Sequence, residues 1–266
     1  MLLGKKILLI GCGKMGSALL AGWFGSGLKM TDIIAVDPTA KKLNNILMLS
    51  NPKQIPPQFL PDVIVFAVKP QLADDIIPLY RSFVRPKTIF ISIAAGKTLS
   101  SLQSLLGKDA QIIRAMPNLP ATISLGSTVV MAGKKTGKNK QKICNSIFES
   151  VGKIHWIKNE KMFDAVTAIS GSGPAYLFHF IECLSDAAQN LGLPAKLAEE
   201  LVIETIYGSA KLVTKSRESP ANLREMVTSK GGTTEAALKV LMAPNGLKKL
   251  VQQATKSAAQ RSKTLK

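Results

Sequence analysis

The glycine-rich segment at residues 11–16 is the first place in the chain where chemistry is expected. It reads Gly-Cys-Gly-Lys-Met-Gly and follows the apolar run Ile7–Ile10, and a helical pattern follows it. Gly11 allows a tight turn, Gly13 allows the backbone to approach a pyrophosphate, and Gly16 allows close packing of helix on strand. The segment therefore predicts a dinucleotide site facing a helix N-terminus; the alternative is a tight turn that binds nothing. The predicted cofactor-binding residues here are Gly11, Cys12, Gly13, Lys14, Met15 and Gly16.

A second glycine-rich segment, VTSKGGTTEAAL, lies at residues 227–238. Thr233 is a good N-cap for the helical pattern that follows it. The backbone N–H groups of Gly232, Thr233 and Thr234 would then point at one spot, with the helix dipole behind them. Such a cradle suits a carboxylate for the same reason that the first loop suits a phosphate. The alternative is an ordinary capped loop.

An acid stands at the end of the second apolar run, Asp32–Asp37. The Asp37 carboxylate occupies the position where dinucleotide-binding folds meet the adenosine ribose, and it would accept a hydrogen bond from a free 2′-hydroxyl and repel a 2′-phosphate. Lys41 and Lys42 follow closely and could offset that repulsion. Asp37-Pro38 could equally be a turn-forming pair, so the choice between NADH and NADPH stays open at this point.

Apolar runs alternate with helical patterns through the first 160 residues, which predicts a doubly wound, mostly parallel α/β sheet. Residues 44–61 contain four prolines and predict an irregular connection. The predicted strands are 7–10, 32–37, 62–70, 88–96, 111–118, 127–132 and 153–157, and the predicted helices are about 17–24, 72–83, 98–106 and 138–150.

Ligands of such sheets gather at the carboxyl ends of strands. That rule selects the segments Lys69-Pro70-Gln71, Ala94-Ala95-Gly96 and Pro117-Asn118. Their small residues would let a nicotinamide ring lie close to the backbone, and for this reason Asn118 is also a predicted cofactor contact. Alternatively, each segment could simply begin a loop, with residues that suit a turn rather than a ligand.

Helical patterns alone fill the chain after residue 160, so we place a domain boundary there and predict domains at 1–160 and 161–266. The helix from Leu197 to Val213 is apolar over more than one face, which indicates burial against another subunit and at least a dimer. The alternative is a helix central to its own monomer. The predicted helices are about 161–191, 194–215, 220–228, 233–242 and 246–263, with a break at Gly171–Pro174.

The composition excludes several classes of protein. The net charge of +18 attracts anionic ligands, but aromatic residues make up only 5% of the chain and no basic stretch is interleaved with them, so no nucleic-acid partner is predicted. Three widely spaced cysteines and two distant histidines indicate no disulfide framework, no metal site and a reducing cytosol. No apolar run approaches the ~18 residues of a membrane span.

Six stretches of the sequence together resemble the pyrroline-5-carboxylate reductase family. They occur in the family's order and spacing and extend over nearly the whole chain; SGSGPAY and SxGGTT are the specific ones. The matching stretches are IGCGKMGSALLAG at 10–22, FAVKPQ at 66–71, SIAAG at 92–96, IIRAMPNLPA at 112–121, AISGSGPAYLFHFIE at 168–182 and VTSKGGTTEAAL at 227–238.

The resemblance implies a Rossmann domain, a helical dimerisation domain and an active site between them. It implies the last step of proline biosynthesis, in which a hydride passes from NADPH or NADH to the imine carbon of 1-pyrroline-5-carboxylate and gives L-proline. It also implies a homodimer, and the family includes rings of dimers. A related Rossmann reductase of hydroxy or keto acids is the alternative. Since the cofactor carries the hydride, the protein has mainly to orient two ligands and supply one proton.

The resemblance also assigns roles to individual residues. Thr234 would be the active-site threonine, with its hydroxyl near the imine nitrogen, and it could donate or position the proton. The backbone of Gly231, Gly232 and Thr233 would hold the substrate carboxylate. The residues that would line the cofactor are Ala67, Val68, Lys69, Pro70, Ala94 and Ala95, while Glu160 and Glu218 match positions near the site, Glu160 toward the cofactor and Glu218 toward the substrate.

Two departures from the family pattern stand out. Lys230 occupies a position where the family usually has proline, which either loosens the loop or adds a cation near a carboxylate site. Residues 38–61 match poorly and look shortened, at the adenosine end of the expected cofactor site.

Overall fold

A computed structural model describes residues 2–39 and 46–264 of the chain. Lys41 and Lys42, which were predicted to influence cofactor choice, lie outside the described residues. The strands are β1 Ile7–Ile10, β2 Ile33–Val36, β3 Leu47–Leu49, β4 Val63–Phe66, β5 Ile89–Ser92, β6 Gln111–Met116, β7 Gly126–Ala132 and β8 Gly152–Trp156. The α-helices are α1 Lys14–Gly25, α2 Ala73–Ile76, α3 Leu99–Leu106, α4 Lys138–Glu149, α5 Phe163–Val166, α6 Gly173–Asn190, α7 Ala195–Lys215, α8 Pro220–Met226, α9 Thr233–Leu241 and α10 Leu247–Thr264.

The eight strands form a sheet in the order β3-β2-β1-β4-β5-β6-β7-β8. Every neighbouring pair is parallel except β6 and β7. From β1 the chain builds outward to β3 and then crosses to β4 on the other side, so the strand order reverses between β1 and β4. The predicted mostly parallel, doubly wound sheet is confirmed, and its reversal point is where such sheets bind ligands.

Two hydrophobic layers cover the sheet because alternate residues of each buried strand face opposite sides. On one face, Leu9 and Val65 pack with residues of α1 and α4, and the buried Trp23 indole N–H donates to the Ile147 carbonyl at 3.0 Å. On the other face, residues such as Phe66 pack with α3 and with Tyr80 of a 3₁₀ segment. Helices therefore cover both faces of the sheet.

Two predicted elements differ from the observed ones. The segment predicted as irregular contains β3, a three-residue strand that is only half-buried and so carries no strong apolar signal. The helix predicted at 72–83 is α-helical only over Ala73–Ile76 and continues as a 3₁₀ helix over Ile77–Phe83. Pro78 lies at the start of that 3₁₀ segment, and it has no N–H to donate to an α-helical hydrogen bond.

By its contacts the chain divides into a sheet unit, Met1–Ser172 with Ala258–Lys266, and a helical unit, Gly173–Ser257. The boundary near residue 160 stays a prediction. The break expected at Gly171–Pro174 is present. A π-helical turn covers Thr167–Gly171, and the regular α-helix α6 begins at Gly173. None of the described helices is both long enough and apolar enough to cross a bilayer.

The helical unit, taken by itself, buries almost nothing. Among its described residues only Ala198 and Val202 are buried. Large apolar side chains of α6 and α7 are exposed instead, for example Phe178 at 49% and Leu201 at 49%. The large number of exposed apolar side chains on these two helices indicates an interaction face.

Candidate cofactor and substrate sites

The turn after β1 is crowded at the point where the sheet order reverses. Gly11 has φ +90°, a conformation that disfavours other residues, and its N–H donates to the Val36 carbonyl at 2.9 Å. A Cβ on Gly11 would lie 2.6 Å from the carbonyl oxygen of Ala67, which follows β4. The backbones of the two loops therefore touch, and this position tolerates only glycine.

The two other glycines of the loop differ in their surroundings. A Cβ on Gly16 would overlap the Gly11 carbonyl oxygen and lie 3.6 Å from the Ala67 Cβ, so Gly16 lets α1 pack against the turn. A Cβ on Gly13 would meet nothing within 4 Å. Because the fold itself does not need glycine at position 13, the space in front of this residue is available to a ligand that approaches the backbone.

The first turn of α1 presents donors to that space. Gly13 is the N-cap without a side-chain cap, and the first turn contains no acidic residue. Among the described residues, no hydrogen bond is recorded from the N–H groups of Lys14, Met15 and Gly16. Unpartnered N–H groups at the positive end of a helix bind phosphate oxygens.

Asp37 lies beside the glycine loop, and its predicted contact with the adenosine ribose stays a prediction. One carboxylate oxygen accepts from the Cys12 N–H at 2.7 Å, and the other accepts from the Thr39 N–H and hydroxyl, both at 2.8 Å. These bonds fix the carboxylate against the turn. Cys12 itself is buried, and its pKa is raised because burial penalises the thiolate.

The loops after β4 and β5 are fixed to each other. Lys97, which is 9% exposed, donates from Nζ to both carboxylate oxygens of Asp74 at 2.9 and 2.8 Å. Asp74 belongs to α2, which follows the Ala67–Pro70 segment, and Lys97 directly follows Ala94-Ala95-Gly96. One ion pair therefore joins residues that follow the two segments predicted to line the cofactor.

Asn118 and Glu160 already serve protein contacts. The Asn118 side-chain oxygen accepts from the Ser127 N–H at 2.8 Å at the start of β7. Glu160 Oε1 accepts from the Leu99 N–H at 2.7 Å and from Arg114 Nη1 at 2.9 Å. A direct cofactor contact by either residue stays a prediction.

Arg114 is a site-region residue that the sequence reasoning missed. It is 4% exposed in β6, and its guanidinium lies 4.0 Å from the centroid of the Phe163 ring. A signal was present, because Arg114 is a cation inside the apolar run QIIRAM. A buried cation needs a partner, but nothing local to the sequence pointed to Glu160 as that partner.

The second glycine-rich segment forms the start of α9, but its cap differs from the prediction. Thr233 is the first helical residue and Gly232 is the N-cap, so the expected Thr233 cap is wrong. Gly231, at φ +75°, donates its N–H to Glu235 Oε2 at 2.7 Å, which fixes the loop in place of a threonine hydroxyl. Glu235 thereby stabilises the turn that presents Thr233 and Thr234.

The predicted anion cradle is smaller than expected. The Gly232 N–H donates to the Ser229 carbonyl at 3.1 Å, so it is already used. No hydrogen bond from the N–H groups of Thr233 and Thr234 is recorded in the described part of the chain, and these two donors remain for a carboxylate. Glu218 lies in the same unit just before α8, where its Oε2 accepts from the Asn222 side chain at 2.8 Å.

The predicted residues thus fall into two groups, one in each unit. The sheet unit contains the glycine loop, Asp37 and the loops after β4, β5 and β6, while the helical unit contains Gly231–Thr234 and Glu218. No group of three or more His, Cys, Asp or Glu side chains among residues 2–39 and 46–264 could hold a metal ion.

Family profiles match both parts of the chain. A profile described as pyrroline-5-carboxylate reductase dimerisation matches residues 160–265, and one described as NADP oxidoreductase, coenzyme F420-dependent, matches residues 6–96. The pyrroline-5-carboxylate reductase of Pseudomonas aeruginosa is 36% identical, over 98% of this chain and 96% of its own length. The corresponding enzyme of Escherichia coli is 37% identical over 89% of this chain and 90% of its own length.

Solved structures agree with the sequence relatives. The Plasmodium falciparum pyrroline carboxylate reductase with NADP bound superposes with a TM-score of 0.88 at 34% identity, covering 98% of both chains. The reductase of Coxiella burnetii gives a TM-score of 0.89 at 33% identity, with the same coverage. With this likeness along its full length, and with the glycine turn, the strand-end loops and the α9 start in place, the chain belongs to the pyrroline-5-carboxylate reductase family.

Proposed function

We propose that this chain reduces 1-pyrroline-5-carboxylate to L-proline with NADPH or NADH. The observation that carries the proposal is the full-length likeness to enzymes named for this reaction, at 36% identity over 98% of the chain in one case. The geometry supports it in two places. In each unit a glycine turn leads into the N-terminus of a helix, and such a terminus suits an anion.

The sheet unit fits a dinucleotide. Gly13 leaves open the space that a Cβ would enter, and α1 offers the first-turn N–H groups of Lys14 to Gly16 to a pyrophosphate. Ala67–Pro70 and Ala94–Ala95 lie at the carboxyl ends of β4 and β5, where a nicotinamide ring would lie. The reduced nicotinamide supplies the hydride when bound. Asp37, fixed beside the turn, would meet the adenosine ribose.

The helical unit supplies the substrate contacts in this proposal. The N–H groups of Thr233 and Thr234 bind the carboxylate of the pyrroline, with the N-terminal dipole of α9 behind them. The half-buried Thr234 places its hydroxyl near the imine nitrogen and delivers or positions the proton that this nitrogen gains. Glu218 contributes to the same site. Lys230 adds a cation beside it and attracts the carboxylate.

The test is to mix purified protein with NADPH or NADH and 1-pyrroline-5-carboxylate, and to follow the absorbance of the reduced cofactor. We expect consumption of at least one cofactor, with proline as the product. A parallel panel of keto acids tests the alternative chemistry. Folded protein that consumes neither cofactor with the pyrroline, or that reduces a keto acid faster, would overturn the proposal.

We also propose that the protein acts as a homodimer in the cytosol. The exposed apolar faces of α6 and α7 support a second copy as the occupant, because the matched profile describes this region as a dimerisation domain. All three cysteines are free, which suits a reducing compartment. Light scattering on a sizing column should give twice the chain mass or a higher even multiple, such as a ring of dimers; a monomer at micromolar concentration would contradict the proposal.

A further inference from the structure

One carboxylate oxygen joins two elements that flank the predicted nicotinamide loop. Glu160 Oε1 accepts from the N–H of Leu99, the first residue of α3, at 2.7 Å, and from Arg114 Nη1 in β6 at 2.9 Å. The Arg114 side chain is 5% exposed and the Glu160 side chain 28% exposed. The centroid of the Phe163 ring lies 4.0 Å from the Arg114 guanidinium. The contact between Arg114 and Glu160 is therefore a packed, partly buried ion pair and not a surface one.

Both donors need this acceptor. The Leu99 N–H belongs to the first turn of α3 and has no partner within the helix. The Arg114 guanidinium is buried and requires a negative partner. A single oxygen satisfies both, and it thereby fixes the start of α3 relative to β6. No contact of Glu160 with a ligand is needed to explain its position.

The segment so fixed is Ala94–Thr98, which leads from β5 into α3. The Ala94 N–H donates to the Ser92 hydroxyl at 3.3 Å at one end, and Lys97 is paired with Asp74 in the middle. Glu160 holds the other end through Leu99. All three contacts lie within the sheet unit, and together they leave the loop little freedom.

We infer that Glu160 and Arg114 are positioning residues, which act on the cofactor through the Leu99 N–H and the Ala94–Thr98 loop, not by touching the cofactor. This inference rests on the proposed function, because that function makes the loop a wall of the nicotinamide site. Binding of the cofactor without substrate tests the inference separately from turnover.

The sharpest variant is Leu99→Pro, which removes the N–H and leaves Glu160 and Arg114 unchanged. Proline is favoured at the first position of a helix, and the preceding Thr98 is already extended at φ −83° and ψ 160°, as a residue before proline requires. Leu99→Ala is the matched control, because it removes the same side chain but keeps the N–H.

We expect Leu99→Pro to raise the Kd for NADPH and NADH, measured by calorimetry, about tenfold relative to Leu99→Ala, the effect of losing one charge-assisted hydrogen bond. Equal Kd values in the two variants would overturn the inference. If Glu160 instead bound the cofactor directly, Leu99→Pro would leave the Kd unchanged while Glu160→Ala raised it.

If Leu99→Pro does not fold, a second pair of variants still separates a role of Glu160 in the cofactor site from a role in stability alone. Asp62 accepts from a lysine Nζ at 3.3 Å and from the Lys6 N–H at 3.0 Å, so it resembles Glu160 at a different place in the same unit. Glu160→Ala and Asp62→Ala should both lower the Tm, but only Glu160→Ala should raise the cofactor Kd. A similar rise in both would reduce Glu160 to a stability role and overturn the inference.

Discussion

Gly13 and Gly16 should respond differently to replacement by alanine: both changes weaken cofactor binding, but only the change at Gly16 lowers the Tm. Gly13 has φ −69° and ψ −166°, which any residue adopts, and a Cβ there meets nothing within 4 Å. Alanine is a poorer N-cap than glycine by roughly 0.5–1 kcal/mol, but it also stabilises the protein by a comparable amount because it lowers the entropy of the unfolded chain. Gly13→Ala should therefore leave the Tm nearly unchanged.

The same methyl group should weaken cofactor binding. It enters the space where the pyrophosphate approaches the backbone, and forcing an extra methyl group into a packed contact costs roughly 1–3 kcal/mol. At about 2 kcal/mol, the Kd for NADPH and NADH rises about 30-fold. Calorimetric titration of the folded variant measures this directly.

Gly16→Ala should act on the fold first. Its Cβ overlaps the Gly11 carbonyl oxygen, so α1 or the turn must move by roughly 1 Å to restore ordinary contact. A loss of about 2 kcal/mol in the free energy of unfolding corresponds to a fall in Tm of roughly 4–8 °C. Cofactor affinity falls as well, because the turn itself is displaced.

Gly25→Ala is the control for both variants, since Gly25 ends α1 and a Cβ there also meets nothing within 4 Å. It should change neither the Tm nor the Kd appreciably. Wild-type cofactor affinity in Gly13→Ala would refute the placement of the pyrophosphate at this turn. An unchanged Tm in Gly16→Ala would refute the packing argument.

Further changes test the other parts of the site. Thr234→Ala should lower kcat by about 10²-fold or more without changing the Tm, if its hydroxyl delivers the proton; an unchanged kcat in the folded variant would remove it from that role. Lys97→Met breaks the ion pair with Asp74 and should lower kcat/KM for the cofactor as well as the Tm. An effect on the Tm alone would restrict the ion pair to a role in stability. A thiol reagent should modify the exposed Cys183 in the dissociated native chain, while the buried Cys144 reacts only on unfolding; rapid labelling of Cys144 in the native state would contradict its burial. Because burial raises the pKa of Cys144, the unfolded chain releases this proton first, so the free energy of unfolding should fall as pH rises above about 8.5. Denaturant titrations from about pH 7 to 10 measure this fall, and Cys144→Ala should make it shallower.

The sequence predicted correctly those elements that depend on residues close together in the chain. The strand, turn and helix around Gly11–Gly16 follow from apolar runs and glycine sterics, and the observed β1, turn and α1 agree with that expectation. The long helices of the second half also follow from periodicity. Pro78 turned one predicted helix largely into 3₁₀ structure, and a proline in an apparent helix is the local feature that could have warned of it.

Other features depend on contacts that no local pattern reveals. Arg114 and Glu160 are separated by 46 positions, and their pairing arises only when β6 and the segment before α5 come together. The α9 cap was mistaken because threonine is a strong N-cap by preference, whereas here Glu235 reaches back to the Gly231 N–H and lets Gly232 take that position. Both the long-range pairing and the competition between two capping groups are decided by the folded structure, so a local sequence pattern does not predict them.

The last residues of the chain have a consequence for how the protein is made. Ala258–Lys266 belong to the sheet unit by their contacts, although the whole helical unit precedes them in the chain. Within the sheet unit, the buried Ser262 donates its hydroxyl to Asp164 at 2.8 Å. A ribosome must therefore synthesise the whole helical unit before the sheet unit can make all of its contacts, so a nonsense codon just before Ala258 would leave the sheet unit without the Ser262–Asp164 hydrogen bond.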